Sequence, residues 1–235
     1  MNNNYQVNKP TAISIYQSLH NWWIAIFIMT KLLVIASSVR DNRNNPRVFN
    51  FALRLAAESG FDAQLLDPEA YPELGLLKKP FHFYPDSSKA PDYLREINQK
   101  LVNADAFLVV SAEYNASIPP ALSNLLDHFA PDVYAYKPAG IVAYTIGTNQ
   151  CTSVITQLQT WLLYLGCICV PEYLTISEVD RLLTHQGLAI ETKAKPRYSK
   201  AVADVRRILA QIQFISEPMR ERRAHTSNLP EVHGY

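Results

Sequence analysis

The chain has 235 residues, 48 % apolar and 18 % charged, with a net charge of +1. These values exclude a disordered or fibrous chain. With Lys and Arg spread along the sequence, they also leave no basic face broad enough for nucleic acid. The length suits one domain with a substantial core.

Taken in chain order, the first conspicuous segment is NWWIAIFIM, Asn21 to Met29. It is apolar but far shorter than the roughly 20 residues needed to cross a bilayer, and it lacks the basic start and small-residue cleavage site of a signal peptide. The first 28 residues are therefore expected to be a dispensable extension, an upstream start or an interaction segment, and the extension is bounded at residue 30. From Lys31 onward, apolar runs alternate with amphipathic ones, the pattern of strands joined by crossover helices.

KLLVIA (31–36) predicts a first strand, and PRVFNFALRLAAESG (46–60) a helix with Pro46 in its first turn and Gly60 at its stop. FDAQLLD (61–67) predicts a second strand. Residues 68–91, rich in proline and aromatics and without periodicity, predict a long loop of the kind that is often functional or interfacial. DYLREINQKLVNA (92–104) reads as a helix, DAFLVVS (105–111) as a third strand and PPALSNLLDHF (119–129) as a helix. PAGIVAYTIG (138–147) then predicts a fourth strand, SVITQLQTWLLYLG (153–166) a helix ended by Gly166, CICVP (167–171) a fifth strand and YSKAVADVRRILAQIQFI (198–215) a last helix. Five strands nearly continuous in apolar residues predict a parallel sheet covered on both faces, an α/β doubly wound, three-layer architecture over 31–215. A C-terminal tail follows over 216–235, and its RERR run, Arg220 to Arg223, reads as solvated.

Cys151, Cys167 and Cys169 match no zinc or CxxC spacing and are expected to be buried, reduced thiols in an intracellular, cytoplasmic protein. The six histidines form no ligand pairing, so no metal site is expected.

Open parallel sheets bind ligands beyond the carboxyl ends of their strands, where strand order reverses, which singles out three loops. After the first strand, SSVRDNRNNP (37–46) places Asn45 as a helix N-cap with Pro46 behind it, leaving helix-start amides free for an anion. Ser37 and Ser38 add hydroxyls, and Arg40 and Arg43 add planar cations matched to phosphate. Neither GxxxxGK[ST] nor GxGxxG is present. After the third strand comes AEYNASIPPALSNLLD, Ala112 to Asp127. After the fourth lie Tyr144, Thr145, Ile146, Gly147, Thr148, Asn149 and Gln150.

These loops together resemble those of the NADPH-dependent FMN reductase family of flavodoxin-like proteins. That family carries GSxRxxS or GSxRxxRxxP after the first strand and PEYNxSxPxxLKNxxD after the third. Ser38, Arg40, Arg43 and Pro46 are in register, with Ser37 in place of glycine. Glu113, Tyr114, Asn115, Ser117, Pro119, Leu122, Asn124 and Asp127 match the second motif, with departures at Ala112 and Ser123.

The resemblance covers about Lys31 to Phe214 and implies a flavodoxin-like fold and an FMN-dependent oxidoreductase. NADPH would give a hydride to FMN, and a small-molecule acceptor such as a quinone, flavin, azo compound or metal oxyanion would take the electrons, with no catalytic acid or nucleophile required. FMN contacts are expected at Ser38, Arg40, Arg43, Asn45, Pro46, Ala112, Glu113, Tyr114, Asn115, Tyr144 and Gly147, with Glu113 to Asn115 bordering the flavin ring as the resemblance implies; Tyr144 could touch the ring, although a tyrosine near a strand end more often packs. Only Gly147 remains of the glycine-rich segment that relatives carry after the fourth strand.

The resemblance further implies a homodimer or homotetramer paired through the helices after the third and fourth strands; in this chain those helices are unusually apolar, with Trp161 and Leu162 as candidate anchors, and core packing against the sheet explains the same residues equally. No nucleic-acid or membrane partner is expected. Asn124 and Asp127 equally suit a packing role. Two other readings use the same fold: a flavodoxin-type electron carrier without NADPH oxidation of its own, against which the near-zero charge argues, and a non-catalytic interaction protein that has lost the flavin.

Overall fold

The computed structural model describes residues 29–190 and 194–225. The expected extension, residues 1–28, lies outside them, and with it all of the apolar segment except Met29. Five strands, β1 (Lys31–Ala36), β2 (Asp62–Leu66), β3 (Ala106–Ala112), β4 (Pro138–Tyr144) and β5 (Ile168–Ile176), form one parallel sheet in the order β2-β1-β3-β4-β5. This is the flavodoxin-like order, whose switch point lies between β1 and β3.

Among the described residues six α-helices flank the strands: α1 (Asn45–Glu58), α2 (Asp92–Asn103), α3 (Pro120–Asp127), α4 (Thr152–Tyr164), α5 (Val179–Leu182) and α6 (Lys195–His225). Successive strand residues point to opposite faces. Leu32 and Val34 therefore join one core with α1 and α6, while Leu33 and Ile35 join a second core with α2, α3 and α4. α6 approaches β4 over Gly140, where a Cβ would lie 2.6 Å from Cγ2 of Ile208. The branched isoleucine side chain has little rotamer freedom with which to yield.

Two elements outrun their sequence patterns. β5 extends to Ile176 because it is an edge strand, so Glu172, Tyr173 and Thr175 are wholly or partly exposed and break the apolar run. Its register with β4 shifts between Ala139 and Ile141, next to Pro171, where the ladder needs no donor. α6 continues through residue 215 to His225. The solvated reading of RERR is accordingly corrected at both its ends. Arg223 donates to the Tyr136 carbonyl at 3.0 Å and reaches Asp105 at 3.3 Å, and Arg220 reaches Asp105 at 3.7 Å. Charge pairing across the fold, which no helical periodicity records, holds the last turns of α6.

Beside that cluster Lys137 is 5 % exposed, its Nζ donating to the carbonyls of Leu101 at 2.7 Å and Val102 at 3.1 Å. Burial, reinforced by the positive charge of Arg223, pushes its ammonium down to about 8. The unfolded chain then holds more protons than the folded one between about pH 8 and the ordinary lysine value near 10.4, so the Lys137 contribution to stability rises with pH across that window. Urea midpoints of the wild type and Lys137→Met, compared at pH 7 and pH 10, are expected to show the wild type gaining on the variant at the higher pH. A constant difference would contradict the assignment.

Candidate functional site

The loop after β1 folds inward on itself. Oδ1 of the fully buried Asn45 accepts from the amides of Ser37 at 2.9 Å and Ser38 at 2.8 Å, while the Ser37 hydroxyl accepts from the Ala112 amide at 2.9 Å. The expected N-cap role of Asn45 is thus corrected. α1 begins at Asn45 itself, with Asn44 at the cap position and Pro46 in the first turn. The side chain of Asn45 is drawn back onto the loop and buckles β1 to the start of the helix. Asn44 does not cap with its side chain, whose oxygen is taken by Nε of Arg47 at 2.8 Å.

The two arginines separate in role. Arg43 forms a two-pronged ion pair with Asp67, 2.6 Å on each side, and also donates to the Ser38 carbonyl. Both partners are largely buried, at 14 % and 12 % side-chain exposure. Arg40 is exposed and stacks over the Tyr114 ring at 3.5 Å from its centroid. The Tyr114 hydroxyl meets that of Ser38, which lies fully buried beneath it. The amides of Val39, Asp41 and Asn42 pair with nothing among the described residues. One exposed guanidinium, a phenolic hydroxyl and several such amides therefore lie in and beside the loop at the carboxyl end of β1, the donor types a phosphate requires.

The turn after β3 is a tight hairpin-like bend. The Tyr114 amide donates to the Ser117 carbonyl and the Ser117 amide to the Tyr114 carbonyl, each at 3.0 Å, with Asn115 at φ 52° and Ala116 at φ 57° between them. Two successive left-handed residues mark a primed turn, a geometry that favours glycine or asparagine. The Glu113 amide is taken up by the Tyr144 carbonyl at 3.0 Å. Of the expected ring edge, the Glu113 and Tyr114 amides therefore face inward, and Asn115 stands exposed at the tip. Ala112 is buried beneath the turn.

Tyr144 is 3 % exposed inside the core shared with α1, and burial pushes its phenol well above the ordinary value. Of the two roles expected for Tyr144, the buried ring takes the packing one in this core. Gly147 lies in the loop after β4, where the nearest atom to an added Cβ would be Thr145 Oγ1 at 3.6 Å. A Cβ there would meet only ordinary van der Waals contact. The loop is tied down by the Glu178 amide on the Gly147 carbonyl at 2.9 Å and by the Val179 amide on the Thr145 carbonyl at 3.1 Å.

Two contributors carry no motif signal. Asp67 anchors Arg43 from the end of β2, and Gln157 reaches the β3 turn from α4. Asn124, a motif residue, clasps the long loop with both ends of its amide: Oδ1 accepts from the Leu77 amide and Nδ2 donates to the Gly75 carbonyl, each at 2.9 Å. The loop thereby flanks Val39 in a groove of about 250 Å³ lined by Tyr71, Leu74 and Ala121. A larger groove of about 650 Å³ lies on the face of α3 and α4, where Ile118, Trp161 and Tyr164 surround it. Leu162 is buried in the core instead, so of the two expected anchors only Trp161 reaches that face.

Cys151, Cys167 and Cys169 are free. Burial pushes the Cys151 thiol up to about 12, with the Glu113 carboxylate adding to the rise, and the Cys169 thiol up to about 11. Neither is a ready nucleophile. No group of His, Cys, Asp and Glu among the described residues could hold a metal ion, and no described helix is long and apolar enough to cross a membrane.

A family model described as NADPH-dependent FMN reductase matches residues 30–180. A 2-hydroxy-1,4-benzoquinone reductase of Burkholderia is 26 % identical over 171 residues, covering 70 % of this chain and 88 % of the relative. An NAD(P)H-dependent FMN reductase of Schizosaccharomyces pombe is 29 % identical over 142 residues, 57 % of this chain and 68 % of the relative. Among solved structures, a flavoenzyme NAD(P)H:(acceptor) oxidoreductase from Paracoccus denitrificans superposes with a TM-score of 0.59 at 18 % identity. The superposition covers 79 % of this chain and 98 % of that one, and it supports the fold.

Proposed function

The chain belongs to the NADPH-dependent FMN reductase family, and from that premise we propose how its residues carry out FMN-dependent NAD(P)H oxidation and which acceptor it serves. FMN, when bound, supplies the hydride relay between NAD(P)H and the acceptor. The observation that carries the site reading is the grouping of Arg40, the Tyr114 hydroxyl and the loop amides at the β1/β3 switch point.

Arg40 and the amides of Val39, Asp41 and Asn42 hold the phosphate. Ser38 orients the Tyr114 hydroxyl toward it, and Asn45 and Arg43 keep the loop in shape from within. Asn115 presents the tip of its turn to the ring, Ala112 and Tyr144 floor the site, and Gly147, which has no side chain, lets a flat group approach. The acceptor is a quinone, the class on which the Burkholderia relative acts by name. The protein is cytoplasmic and pairs as a homodimer through the α3 and α4 face, where Leu163 and Tyr164 are exposed beside the groove at Trp161.

Titration of purified protein with FMN, followed by NADPH oxidation with a benzoquinone, tests this reading. Saturable FMN uptake and parallel double-reciprocal lines are expected. Protein that binds FMN but leaves NADPH untouched would be an electron carrier, and protein that takes up no FMN would be a non-catalytic relative. Either result would overturn the reading.

A further inference from the structure

Gln157 sits on α4, outside both sequence motifs, yet its side chain makes three hydrogen bonds to the turn after β3. Oε1 accepts from the Ser117 hydroxyl at 3.0 Å and from the Ile118 amide at 3.4 Å, and Nε2 donates to the Ala116 carbonyl at 3.0 Å. That turn is held in a costly conformation. Ala116 has φ 57°, where a Cβ crowds its own backbone, a conformation that costs an L-residue other than glycine or asparagine. The turn's own two hydrogen bonds close the ring of atoms but leave the Ala116 carbonyl and the Ser117 hydroxyl without a partner inside it.

We infer that Gln157 is a positioning residue for the flavin-binding turn. It pins Ala116, Ser117 and Ile118 from a neighbouring helix and so maintains the left-handed pair that sets Asn115 at the tip and Tyr114 against Ser38. The inference rests on the site reading given above. The two-ended amide suits the task, since one end must accept from a hydroxyl and an amide while the other donates to a carbonyl.

The test uses Gln157→Ala and the double variant Ala116→Gly/Gln157→Ala in the full chain. In cofactor-free protein, exchange of the Tyr114 and Ser117 amides, followed by NMR, is expected to quicken about tenfold in Gln157→Ala, the equivalent of about one net hydrogen bond lost. Its Kd for FMN is expected to rise by about tenfold or more. The thermal midpoint should change little, because Gln157 is only partly buried at the surface. Ala116→Gly in the same background removes the left-handed cost and is expected to return the Kd most of the way to the wild-type value, which loss of packing alone would not allow.

A Gln157→Ala protein with unchanged exchange and unchanged FMN affinity, beside a wild type that binds FMN, would overturn this inference alone. Absence of rescue by Ala116→Gly would overturn it as well. A wild type that takes up no FMN would overturn the site reading together with the inference.

Discussion

Arg40→Ala is expected to raise the Kd for FMN about a hundredfold, the loss of one charged phosphate contact, and to leave riboflavin binding nearly unchanged. The contrast arises because riboflavin shares the ring and lacks the phosphate. Fluorescence-quenching titrations of both flavins against the wild type and the variant make the measurement. Arg40 also stacks on Tyr114, so the riboflavin arm decides between two actions of the same residue. An equal loss for both flavins would mean that Arg40 works by holding Tyr114 in place and would sink its assignment to the phosphate. The FMN affinity of the wild type should also weaken with added salt more than that of Arg40→Ala, because the exposed guanidinium acts through screened charge.

Asp67→Ala is expected to destabilise the fold by about 3 kcal/mol, since it leaves the largely buried Arg43 charge without its carboxylate. For a domain of this size that corresponds to a fall in the unfolding midpoint of roughly 6–12 °C. The Arg43→Met/Asp67→Leu protein is expected to lose much less, because it removes both charges and fills the space with apolar atoms. Thermal unfolding of the two variants provides the check. If the single and double variants fall together, the pair contributes by packing and not by charge compensation. The consequence reaches the site, because Arg43 also donates to the Ser38 carbonyl, and slackening it releases the loop that carries Arg40.

The two arginines of SSVRDNRNNP show where sequence reading stops. Both are planar cations three residues apart, and composition assigns both to an anion. The partner that separates them, Asp67, lies 24 residues beyond Arg43, and only the pairing of β1 with β2 brings it near. Asn45 is a comparable case. Its residue type and its place before Pro46 suit a helix cap, but the amides of Ser37 and Ser38 lie within reach and take its oxygen. Tyr144, at the end of a strand, could face either way by pattern alone, and its burial follows from how α1 packs over the sheet.

The sequence by itself determined the strands from β1 to β4, the parallel doubly wound class and the two motif-bearing loops. Each of these is encoded locally, in continuous apolar runs, helical spacing and turn-forming residues. The tertiary structure alone decided the Arg43–Asp67 brace, the hold of Gln157 on the Ala116 turn, the clasp of Asn124 on the long loop and the anchoring of Arg220 and Arg223 at Asp105. Those contacts join residues far apart in the chain, and their strength comes from burial and from hydrogen-bond partners that periodicity does not record.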